Sequence, residues 1–128
     1  DESEGRQMKL ISGIVGLALL GVSGIAMADE EKAEVKHCMR MAYAMKSHNF
    51  AKFGVQVKRY RNIAGTIRVN LAYAGIDADG AGTTGSFECR FRSTEVRAGT
   101  LDAATVFIDR GRLTKEALAK YNALARGE

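Results

Sequence analysis

The sequence predicts an α+β domain: an N-terminal helix packed on a three- to four-stranded antiparallel meander, followed by a C-terminal helix, with one disulfide. Three observations carry this. Apolar residues recur at three- and four-residue spacing at both ends of residues 29–128. Between those ends, apolar and polar residues alternate. The two cysteines, Cys38 and Cys89, fall one on a helical stripe and one on an alternating strand.

The first helix is expected over residues 30–48. Val35, Cys38, Met39, Ala42 and Met45 form its apolar stripe. Glu30, Glu31 and Glu34 crowd its first turn, where the helix dipole favours acids. Three strands follow. Phe53, Val55 and Val57 alternate with Gly54, Gln56 and Lys58; Ile67, Val69, Leu71 and Tyr73 alternate with Arg68, Asn70 and Ala72; Phe87, Cys89 and Phe91 alternate with Glu88, Arg90 and Arg92. Period two with one apolar face is the mark of an antiparallel sheet covered on one side. A fourth strand is expected near residues 103–108, and residues 75–85 read as a flexible connection. Thr114 can cap the last helix, Leu113 can staple onto Leu118, and Gly127 ends it. Its apolar side is Leu118, Tyr121, Leu124 and Ala125.

Residues 8–28 read as an export signal. Met8-Lys9 is a positive start, residues 10–25 are apolar and small, and Ala26-Met27-Ala28 before Asp29 is a cleavage pattern. The rival is a membrane anchor, because residues 10–28 come close to the ~20 that a spanning helix needs. Gly13, Gly16, Gly21 and Gly24 argue for cleavage, as does the acidic Asp29-Glu30-Glu31 immediately after. Residues 1–7 are acidic and precede the first Met, so they are expected to be a non-native upstream extension. Residues 29–128 then form one exported domain, periplasmic or secreted. In an oxidising compartment an even cysteine count argues for a Cys38–Cys89 disulfide. It closes a loop of about 50 residues, for which the chain-entropy model gives on the order of 4 kcal/mol.

The pattern resembles small exported proteins of Gram-negative bacteria that have no assigned function. Cys38, the run Ile67-Arg68-Val69-Asn70-Leu71-Ala72-Tyr73-Ala74 and the run Phe87-Glu88-Cys89-Arg90-Phe91 carry the resemblance. It implies a helix cysteine paired to a strand cysteine and brings no catalytic residues with it.

The chain holds 19 Lys and Arg against 15 Asp and Glu, a formal charge of +4. The distribution matters more. No acid stands between Glu34 and Asp77, while Lys36, Arg40, Lys46, Lys52, Lys58, Arg59, Arg61 and Arg68 do. Simple alternation puts Lys52, Lys58, Arg68, Arg90 and Arg92 on the sheet face away from the core, with Lys58, Arg68, Arg90 and Arg92 as the expected contact surface. Such a face attracts anions: lipid headgroups, lipopolysaccharide, acidic proteins or glycans. Its ordinary role is a solvated face that discourages strand pairing. Nucleic acid is not expected, because export separates the protein from it and no aromatics are interleaved for stacking. Membrane contact is expected only through an uncleaved signal.

A second constellation is His37, Met41, Met45 and His48, at i, i+4, i+8 and i+11 on one helical stripe. Imidazole and thioether suit Cu(I), making His37, Met41 and Met45 a candidate soft-metal site. His37 and His48 would lie ~16 Å apart at ~1.5 Å per residue, so one ion reaches only a subset. Core filling is the competing role for such methionines. Asp77-Ala78-Asp79-Gly80 lacks the later ligands of a calcium loop and reads as a turn. No nucleophile elbow, zinc-protease motif, P-loop or dinucleotide fingerprint occurs. The expectation is a non-enzymatic interaction module of the cell envelope without a cofactor. The alternatives are a periplasmic copper binder and an accessory subunit of an envelope complex.

Overall fold

The computed structural model describes residues 32–128. Helix α1 (Ala33–Lys46) leads through a short 3-10 turn (Ser47–Asn49) into strands β1 (Lys52–Ile63), β2 (Thr66–Ile76) and β3 (Gly82–Arg92). A short helix α2 (Ser93–Arg97), strands β4 (Thr105–Ile108) and β5 (Gly111–Arg112), and helix α3 (Lys115–Ala125) complete the chain. The five strands pair antiparallel in sequence order, β1-β2-β3-β4-β5. The α+β meander expected from the sequence is therefore observed, with a short fifth strand and a short extra helix. Residues 1–7, the signal at 8–28, and Glu30 and Glu31 lie outside the described residues. Among the described residues, no helix is long and apolar enough to cross a membrane.

One face of the sheet carries the core. Ile67, Val69 and Leu71 from β2, Phe87, Cys89 and Phe91 from β3, and Val106 from β4 meet Val35, Cys38, Met41 and Ala42 from α1. Met41, rather than Met39, is the fully buried methionine of the helix; Met39 and Met45 pack at the edge. From α3, Leu118, Tyr121 and Ala125 join this core, while Leu124 is 43 % exposed and does not. Cys38 and Cys89 are bonded, their Cα atoms 5.9 Å apart. The bond ties the middle of α1 to the central part of β3.

A buried polar clip seals the two main helices. Asn122 Oδ1 accepts the Ala103 backbone N–H at 2.8 Å, and its Nδ2 donates to the Ala103 carbonyl at 3.1 Å. Those two bonds orient the amide, so His37 Nε2, 2.8 Å from Oδ1, must be the donor of its pair. His37 thus carries a proton on Nε2, is 1 % exposed and lies edge-on to Phe91. Its Nδ1 has no partner among the described residues. Arg40 Nε adds a bond to the Ala125 carbonyl at 2.8 Å. Helix α3 ends as its sequence suggests: Thr114 accepts from the Ala117 N–H, and Gly127, at φ +93°, closes a Schellman turn through Glu128 N to Ala123 O at 3.0 Å.

The far end of the sheet is built on aromatics lying over glycines. A Cβ on Gly85 would fall 2.3 Å from the Tyr73 ring and from the Asp109 carboxylate, so no side chain fits there. Tyr73 donates its hydroxyl to Asp109 Oδ2 at 2.6 Å, while Oδ1 accepts the Ser86 N–H at 2.9 Å. Burial, reinforced by the Asp109 contact, pushes the Tyr73 hydroxyl up to about 12. Asp77 Oδ1 accepts from Asp79 N and Ala81 N, so the DADG segment is a turn and the expected flexible stretch shrinks to residues 77–81.

Two outcomes follow from this packing. Replacing both Cys38 and Cys89 with Ala should lower the unfolding free energy by about 4 kcal/mol, as loop-entropy arguments for this span indicate; urea titration of the oxidised and doubly substituted chains measures it. Burial, opposed by the Asn122 bond, holds His37 below its ordinary value of 6.5. Above that value folded and unfolded chains both keep the ring neutral. As pH falls through it, the unfolded chain takes a proton that the folded one resists, so stability drops. The urea midpoint should therefore fall between pH 7.5 and pH 5, and His37→Gln should flatten that slope. An unchanged slope in the variant would remove His37 as the cause.

Candidate anion-binding face

Both long helices lie on the core side of the sheet, and the opposite face is bare of any described helix. Its composition follows from the strand register. Paired residues in neighbouring strands share a face, and same-face positions along a strand lie two apart. Counting inward from the β1–β2 turn, the rows of the outer face are Ile63–Thr66–Arg92, then Arg61–Arg68–Arg90–Thr105, then Arg59–Asn70–Glu88–Phe107–Arg112. Beyond these come Gln56 beside Ala72 and Ser86, then Gly54 with Ala74 and Thr84, and at the far end Lys52 with Ile76 and Gly82. Positive charge is therefore gathered at the turn end of the face.

A β-bulge creates that arrangement. The β1–β2 register shifts between Val57 and Arg59, so Val57 faces Leu71 while Arg59 faces Asn70. Unbroken alternation from Val57 would send Arg59 and Arg61 into the core. The extra residue turns both outward and brings Tyr60 inward, where its hydroxyl donates to the buried Glu34 carboxylate of α1. The sequence carries the signal for this: inward positions run Phe53, Val55, Val57 and then Tyr60, a three-residue step.

Of the residues expected on this face, Arg68 and Arg90 are direct cross-strand neighbours. Arg92 lies one row nearer the turn and pairs with Glu95 at 3.3 Å. Lys58 differs from the expectation: it sits in the bulge, exposed and without a β2 partner, while Arg59 and Arg61 take the ordered positions. Reading by unbroken alternation misses those two.

The face is partly wired. Glu88 accepts from Arg90 Nε, and from Asn70 Nδ2 at 2.9 Å. Burial alone would raise the Glu88 carboxyl, but the Arg90 and Asn70 bonds and the nearby Arg68 charge outweigh it and hold the group below its ordinary value. The Arg90 guanidinium lies 4.6 Å from the centre of the Phe107 ring. Arg90 is thus pinned between an acid and an aromatic. Among the described residues no acid pairs with Arg59, Arg61 or Arg68. Arg61 Nε and Asn70 Oδ1 are buried and have no hydrogen-bond partner there either. The arrangement can accept oxyanions: Arg61 and Arg68, paired with no acid among the described residues, stand beside Arg90, which is held at a fixed position.

His37 and Met41 are buried in the core, with His37 Nε2 engaged by Asn122, and Met45 packs at the core edge. His48 is exposed in the 3-10 turn. Among the described residues no three His, Cys, Asp or Glu side chains converge as metal ligands.

Comparison with models of protein families, with curated proteins and with solved structures finds no match to this chain.

Proposed function

We propose that this protein is an exported, non-enzymatic binding module of the cell envelope, holding an anionic component against the outer face of its sheet. The observation that carries the reading is the row Arg61–Arg68–Arg90, three guanidinium side chains on adjacent strands of a face that neither long helix covers. Guanidinium groups bind phosphate and carboxylate bidentately and stay charged at every physiological pH. The turn end of the sheet holds two acids near this row, Glu88 and Glu95, and each is already taken by an arginine, Arg90 and Arg92. Periplasmic location is the compartment that fits the signal-like segment at 8–28, and the Cys38–Cys89 bond is compatible with it.

Soluble inorganic polyphosphate is the simplest probe. Isothermal titration at low ionic strength should detect binding that weakens as salt is raised. Arg61→Ser/Arg68→Ser/Arg90→Ser should weaken it by about tenfold or more, the scale of losing charge-assisted hydrogen bonds. Lys115→Ser/Lys120→Ser, on exposed positions of α3, should leave it unchanged. Equal losses in the two variants would point to general charge attraction and contradict a built face.

A further inference from the structure

We infer that the β1–β2 turn is a membrane-docking tip: Ile63 and Ala64 enter the interface of an anionic phospholipid layer while Arg61 and Arg68 bind its phosphates. The inference rests on the anionic-partner reading above and names the partner.

Four features of the tip converge. Ile63 is 58 % exposed, the most exposed of the large apolar side chains among the described residues. Exposed apolar residues are common singly; this one stands in the outermost row of the arginine-rich face, beside Thr66 and Arg92 and directly beyond Arg61. Next, the turn has Ala64 at φ +54° and Gly65 at φ +82°, a two-residue hairpin with both central residues left-handed. Such turns favour Asn or Asp at the first position, where a polar side chain relieves the strain. Ala64 accepts the strained conformation and leaves the projecting end apolar. Third, the tip is braced. The Gly65 carbonyl accepts the Ser93 N–H at 2.9 Å, and Ser93 Oγ donates to Asn62 Oδ1 at 2.8 Å. A rigid tip loses little conformational freedom on docking. Last, Arg61 and Arg68 lie one row behind the apolar end, so Ile63 and Ala64 lead and these guanidinium groups follow at headgroup level.

A soluble polyanion would use the arginines and have no need of Ile63. A lipid layer uses both. That difference separates this inference from the broader reading. Membrane contact then extends beyond the signal segment to the folded domain itself.

The test uses protein recovered from an exporting host, its amino terminus defined by mass spectrometry. Sedimentation is measured with vesicles of equimolar phosphatidylglycerol and phosphatidylcholine, with vesicles of phosphatidylcholine alone, and in parallel by titration with polyphosphate. Wild type should favour the anionic vesicles. Ile63→Ser should weaken vesicle binding by about fivefold or more, given the apolar groups it withdraws, and leave polyphosphate binding intact. Arg61→Ser/Arg68→Ser should weaken anionic vesicle binding by about 30-fold, at about 1 kcal/mol per charge near the surface, and weaken polyphosphate binding too. Circular dichroism checks that each variant is folded. Ile63→Ser that sediments like wild type overturns the docking tip and leaves the anionic-partner reading standing. So does wild type that binds polyphosphate but sediments equally with both vesicle types. Wild type that binds neither polyphosphate nor anionic vesicles overturns both.

Discussion

The Cys38–Cys89 bond is the constraint on which the rest of this structure depends. It joins the middle of α1 to a central strand, across a separation of 51 residues. A chain of this size has one modest core, and a covalent tie of that span removes a large share of the unfolded chain's freedom. The tie also decides sidedness. With α1 fixed to the Cys89 face of β3, and α3 clipped to α1 through His37 and Asn122, both long helices lie on one side of the sheet. Among the described residues, no long helix covers the other side.

The β-bulge after Val57 then decides what that open side displays. By advancing β1 one residue, it moves Arg59 and Arg61 out and Tyr60 in. The inward Tyr60 finds the buried Glu34 carboxylate, so one irregularity satisfies a buried acid and completes a row of arginines. Like charges on adjacent strands oppose one another and reduce sheet stability. Arg90 offsets part of that through Glu88 and Phe107, whereas Arg59, Arg61 and Arg68 form no ion pair with an acid among the described residues.

Much of the fold was legible because it rests on periodicity. The helical stripe with Cys38 and the alternating strand with Cys89 are separate patterns that lead to one core, and the cap at Thr114 and the turn at Asp77 have local chemistry that can be recognised. What escaped reading depends on contacts distant in sequence. Asn122 looks like a polar interruption of a helix and is instead a buried clip to Ala103 and His37. His37 is buried by contacts that its own helix does not announce, the Asn122 amide 85 residues away and the Phe91 ring. Leu124 fits an apolar stripe by type, but its side of α3 faces outward. The arginine row was half visible: Arg68 and Arg90 follow from alternation, while Arg59 and Arg61 need the bulge, which only the step from Val57 to Tyr60 hints at.

The most direct test of a partner-binding outer face is to observe the arginine side chains themselves. Nuclear magnetic resonance of the Nε–Hε groups, followed as polyphosphate is added to the oxidised protein, reports each guanidinium separately. Perturbations should centre on Arg61, Arg68 and Arg90 and be small at Arg40 and Arg126 on the helical side. Perturbations spread evenly over all arginines, or centred on the helical side, would contradict a built anion-binding face.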